Sequence, residues 1–159
     1  MKIFRDNAGR TWTVAINVDA IKRVRDLLHE DLLDAKNVIH RLMIDPILLC
    51  DAIYCVCKPQ ADTEQISDAQ FAQAMAGDAI AYAKTALIEE LINFFPDPKD
   101  RENLNLAIQK YNVAVDQLRT RIKTWLNSPK LTREIEAALS SVGDSFTSSP
   151  ESPESTPAH

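Results

Sequence analysis

The chain has 159 residues, 45% of them hydrophobic, and carries 18 Lys and Arg against 23 Asp and Glu for a net charge of −5. That is the size of one ordinary domain with enough apolar content to build a core. The acidic balance opposes a broad nucleic-acid footprint, because duplex binding draws its affinity from Lys and Arg neutralising phosphates.

With only 3 Gly and 6% aromatic residues, the composition predicts helices packed on helices, a mainly α fold. We read one helical domain over 1–143, with an N-terminal β-hairpin at 2–16 and helices over 18–142. No run of about 18 apolar residues occurs, so no membrane partner is expected. The opening Met1-Lys2-Ile3-Phe4-Arg5-Asp6 runs directly into charge and predicts a cytoplasmic protein. Charge is uneven: residues 1 to 28 hold six basic side chains against Asp6, Asp19 and Asp26, which leaves the remainder acidic.

Two short β-prone runs, Ile3-Phe4 and Thr11-Trp12-Thr13-Val14, flank the turn-forming Asp6-Asn7-Ala8-Gly9, and this pattern predicts a hairpin. An isolated hairpin is marginal in water, so Trp12 and Val14 should be buried against the next helix. That helix starts at Asn17 or Asp19, with Ile21, Val24, Leu27 and Leu28 as its apolar stripe and Lys22, Arg23 and Arg25 off it as a candidate basic patch.

Val38, Ile39, Leu42 and Met43 mark a second, shorter helix. Asp45-Pro46 then restarts the chain, since a proline at the first helical position leaves no amide unpaired. From Pro46 to Cys57 the segment is apolar nearly all round and reads as the central helix, ended by a polar loop from Lys58 to Gln65.

Ser67 and Gln70 have capping-box spacing, with Ile66 and Phe71 placed as a staple. Gly77 is expected to close that short helix in a left-handed conformation and Asp78 to cap the next, whose face carries Ile80, Leu87, Leu91 and Phe94. Pro96-Asp97-Pro98 makes a corner. Beyond it Leu104, Ile108, Tyr111, Val115, Leu118, Ile122 and Trp125 recur at intervals of 4, 3, 4, 3, 4 and 3, a heptad seam that is either core or a binding face for another helix or a second copy of the chain. Ser128-Pro129 starts a last helix with a stripe of Leu131, Ile135, Ala138 and Leu139 that ends before Gly143. The Ser/Pro-rich tail at 144–159 is expected to be disordered.

Chemistry is sparse in this pattern. Cys50, Cys55 and Cys57 lack the CxxC spacing of zinc sites and read as small core hydrophobes. No phosphate loop, GxSxG or HExxH is present, and clusters such as Glu30, Asp31 and Asp34 read as solvated faces. No enzyme, metal or cofactor is expected. Ser67 to Leu91 could be a helix-turn-helix, but the second helix opens Asp78-Ala79-Ile80-Ala81-Tyr82-Ala83-Lys84, with one lysine where a recognition helix carries several basic and amide groups.

The span from about residue 2 to 125 resembles the tail assembly chaperones of long-tailed bacteriophages and prophages. The resemblance is carried by Phe4-Arg5-Asp6 with Thr11-Trp12-Thr13-Val14, by Asp45-Pro46-Ile47-Leu48-Leu49-Cys50-Asp51, and by Ser67-Asp68-Ala69-Gln70-Phe71, Gly77-Asp78-Ala79-Ile80 and Glu89-Glu90-Leu91-Ile92-Asn93-Phe94-Phe95. It implies a non-enzymatic helical factor that coats the tape-measure protein, helps recruit tail-tube protein, self-associates, is absent from the mature virion, and in many members has a longer frameshifted form. Two other readings compete: a structural virion component such as a connector or tail completion protein, and a small DNA-binding regulator using Lys22, Arg23 and Arg25.

Overall fold

A computed structural model describes the backbone of residues 1–146 and the side chains of 1–34 and 37–141. The described chain is mainly helical. A two-stranded antiparallel hairpin, β1 (Lys2–Arg5) and β2 (Thr11–Val14), precedes seven helices: α1 (Val18–Leu28), α2 (Ala35–Ile44), α3 (Pro46–Thr63), α4 (Asp68–Ala74), α5 (Asp78–Phe94), α6 (Pro98–Leu126) and α7 (Pro129–Phe146). The chain divides into two compact units, Met1–Ile108 and Gln109–His159. The expected tail at 144–159 falls, from residue 147 on, outside the described residues. The backbone of α7 runs through Gly143 to Phe146, beyond the end that its apolar stripe marks.

In the first unit the hairpin register pairs Phe4 with Trp12 and Lys2 with Val14, which sends Phe4, Trp12 and Val14 to one face, all buried. Gly9, at φ +81°, supplies the left-handed position of the connection. Asp6 closes it: its carboxylate accepts from the Arg10 amide at 2.8 Å and from Trp12 Nε1 at 2.9 Å. The surface under the hairpin is not the next helix, as expected, but α5 beneath β1 and α3 beneath β2. Trp12 meets Phe71 of α4 edge-on at 4.9 Å, and Phe71 in turn packs on Tyr54 of α3 at 5.4 Å. The outer edge of β2 is occupied by a side chain. Gln60 accepts from the Thr13 amide at 3.0 Å and donates to the Thr11 carbonyl at 2.8 Å, standing in for a third strand and blocking edge pairing there.

The helix starts follow their local chemistry. Asn17 accepts from the Ala20 amide at 2.8 Å, and Asp45 from the Ile47 and Leu48 amides at 2.9 and 3.0 Å. Ser67 and Gln70 form both halves of the capping box. Gly77 does not close α4. That helix ends at Met75 in extended backbone, and Gly77, at φ +54° and ψ −122°, is the N-cap of α5 with Asp78 already inside the helix. The cause is nonlocal: the Asn7 amide donates to the Ala74 carbonyl at 3.0 Å and its side chain to the Ala76 carbonyl at 3.1 Å, so the hairpin turn draws out the carbonyls that would have continued α4.

Two further expectations are corrected. Leu27 is exposed, because the stripe of α1 that meets α3 is Ala20, Ile21 and Val24, with Leu28 packed beside it. Helix α3 does not stop at Lys58 but continues to Thr63 with Pro59 inside it. A proline in mid-helix removes the amide that would bond the carbonyl four residues earlier, here that of Cys55. Arg23 of α1 replaces the missing donor: its Nη1 donates to the Cys55 carbonyl at 2.7 Å and the Val56 carbonyl at 3.2 Å. Leu49, Ala52, Ile53, Val56 and Cys57 of α3 then lie at the centre of the core with Leu87 and Leu91 of α5, while Ile47 in the first turn is exposed.

Candidate functional site

The corner before α6 is tightly held. Asp97 accepts from the Lys99 amide at 2.8 Å, and Arg101 Nη1 donates to the carbonyls of Phe95 and Pro96 at 2.6 and 2.9 Å, which ties the end of α5 to the first turn of α6. Along the heptad seam burial then changes. Leu104 and Ile108 pack against the core of the first unit. Tyr111 and Val115 are half-buried, and Leu118, Ile122 and Trp125 are 57%, 48% and 59% exposed. No described residue of α6 is fully buried.

Helix α7 repeats the pattern. Ser128 accepts from the Leu131 amide at 3.4 Å to start it, and Ile135 and Leu139 are exposed. Val113 and Leu126 of α6, off the heptad seam, are exposed as well. The second unit therefore presents recurring large apolar side chains to solvent. Sequence spacing marked α7's stripe, but spacing alone does not say whether a stripe is covered.

Lys22, Arg23 and Arg25 do not form one cationic face. Arg23 is committed to Asp19 and to the two α3 carbonyls. Arg25 bonds Asp31 at 2.9 Å, and this hydrogen bond, with one from the Leu33 amide, holds the Asp31 carboxyl below the usual carboxylate range. Lys22 lines an open groove between α1 and α3 together with Asp19, Asp26 and Asp62. Arg23 and Lys58 line the groove too, each paired with one of those carboxylates, so its charge is balanced and gives a phosphate backbone no net attraction. At the start of α5, Ala79 and Ala83 are buried, and the face left exposed carries Asp78, Ala81 and Tyr82 and no cation.

Burial is the leading influence on all three thiols and raises each of them, Cys57 to about 12. A cysteine nucleophile requires the opposite shift. Cys57 is also held, its Sγ donating to the Thr13 carbonyl at 3.5 Å. A thiol-specific disulfide reagent should therefore label half-buried Cys50 first and Cys57 only as the chain unfolds; rapid labelling of Cys57 in the native protein would contradict this placement.

Among the described residues no three His, Cys, Asp or Glu are gathered where an ion could bind, and no helix is long and apolar enough to cross a membrane. No protein-family model, curated protein or solved structure matches the chain.

Proposed function

We propose that this chain is a non-enzymatic protein-binding factor that holds a helical segment of another protein along α6 and α7. On the resemblance of its sequence, we further propose that it acts as a tail assembly chaperone of a long-tailed phage or prophage. In this reading it works in the host cytoplasm, coats the tape-measure protein, helps recruit tail-tube subunits and leaves before the virion is complete.

The observation that supports binding is the exposure of Leu118, Ile122 and Trp125 on α6 and of Ile135 and Leu139 on α7. A stripe of exposed apolar side chains along a helix costs free energy in water unless a partner covers it, and an amphipathic helix laid along it is the usual cover. A tape-measure helix with an apolar face of its own would be kept soluble by the same contact.

The test is co-expression with a tape-measure protein, followed by pull-down, using the wild type and a Leu118→Glu/Trp125→Glu variant. Both side chains are exposed, so the variant should melt within about 0.5 kcal/mol of the wild type. It should also lose the complex. A complex that survives both charges would overturn the binding face, and recovery of the chain from purified particles by mass spectrometry would favour a structural virion component.

A further inference from the structure

The charges beside the exposed part of the seam are one-sided. Between Gln109 and Leu126, α6 carries Lys110, Arg119, Arg121 and Lys123 against the single Asp116, in a chain whose net charge is −5. Asp116 pairs with Arg119 at 3.1 Å, a solvent-exposed contact on both sides that leaves the Arg119 guanidinium open to a second carboxylate. Arg119 follows Leu118 and Arg121 precedes Ile122, so the two guanidinium groups stand on opposite flanks of the same rungs, the positions that choose a partner in a two-helix seam.

We infer that the helix seated on α6 carries carboxylates on both sides of its own apolar stripe. This rests on the protein-binding reading above and names the chemistry of the partner. A second α6 fits poorly, because the positions flanking its seam are Asn105, Ala107, Asn112, Ala114, Arg119, Arg121 and Leu126, with no carboxylate to meet the arginines. A lipid surface fits poorly too. An interfacial helix needs a broad apolar face and an uninterrupted polar one, whereas here Leu126 widens the strip of Val115, Leu118, Ile122 and Trp125 only at its end, and Val113 is exposed among the polar Asp116, Gln117, Thr120, Lys123 and Thr124 of the remainder.

The experiment uses the full chain and two synthetic helical peptides with identical Leu and Ile seams, one with Glu and one with Lys on both flanks. Trp125 emission is the signal, since the other tryptophan, Trp12, is fully buried. The Glu peptide should bind at least about tenfold tighter than the Lys peptide. Its advantage should shrink in high salt, and Arg119→Glu/Arg121→Glu should reverse the preference. Equal affinity for the two peptides would overturn the acidic partner while leaving helix binding in place, whereas no binding of either would remove the binding face itself. A larger emission shift on anionic phospholipid vesicles than with the Glu peptide would assign the strip to a membrane surface and overturn the inference. A dimer of the chain alone that the Glu peptide fails to dissociate would assign the strip to a second copy, with the same result.

Discussion

Replacing Trp12 with alanine is expected to lower the unfolding free energy by about 4 kcal/mol, the middle of the range for deleting a buried aromatic. Trp12 is fully buried, lies edge-on to Phe71 at 4.9 Å and joins the hairpin to α3 and α4. Its indole N–H, the Arg10 amide and the Arg10 guanidinium at 3.6 Å are together what makes burial of the Asp6 carboxylate tolerable. Trp12→Phe separates the two contributions. The phenyl ring keeps most of the contact with Phe71 but offers Asp6 nothing, and the loss of a buried charge-assisted hydrogen bond should cost about 2 kcal/mol. Urea unfolding of the three proteins should order them as wild type, Trp12→Phe, Trp12→Ala. A Phe variant as stable as the wild type would mean that the Asp6 bond contributes nothing net.

The second large effect concerns Arg23 and Pro59. Arg23→Ala should destabilise by about 2 kcal/mol, because it leaves the Cys55 carbonyl without a donor inside the α1–α3 contact and removes the second bond to the Val56 carbonyl. Pro59→Ala restores an amide at the position from which a helix normally serves the Cys55 carbonyl, and removes a residue that costs roughly 3 kcal/mol in a helix interior. In the Pro59→Ala background, Arg23→Ala should therefore cost about 1 kcal/mol less than in the wild type. A double-mutant cycle measured by denaturant unfolding gives that coupling directly. Strict additivity would mean that Arg23 acts through its pairing with Asp19 instead.

These two sites show where sequence reasoning reaches and where it stops. The caps at Asn17, Asp45 and Ser67, the hairpin with Gly9 at its turn and the helical character of nearly every segment were legible because each depends on hydrogen bonds made within four or five residues. Local sequence also carried the 4-3 spacing of α6. It could not carry the continuation of α3 through Pro59, since the donor that permits it sits in α1. Nor could it place the end of α4, which the Asn7 amide and side chain hold from 69 residues away in the case of the side-chain bond.

The candidate site divides in the same way. Seven seam residues follow from periodicity, yet Leu104 and Ile108 are packed on the core while Leu118, Ile122 and Trp125 are exposed. The basic patch read from Lys22, Arg23 and Arg25 loses its character for a related reason. Asp19 was visible four residues before Arg23, but the carbonyls and Asp62 that complete the surroundings come from α3, which only the fold brings near, and Asp31 comes from the loop that follows α1. The sequence by itself determined where most helices start and which spacing their apolar residues keep, because backbone hydrogen bonding and side-chain spacing are short-range. Tertiary structure alone decided which apolar sides are covered and which charges remain free, because coverage and pairing depend on partners distant along the chain.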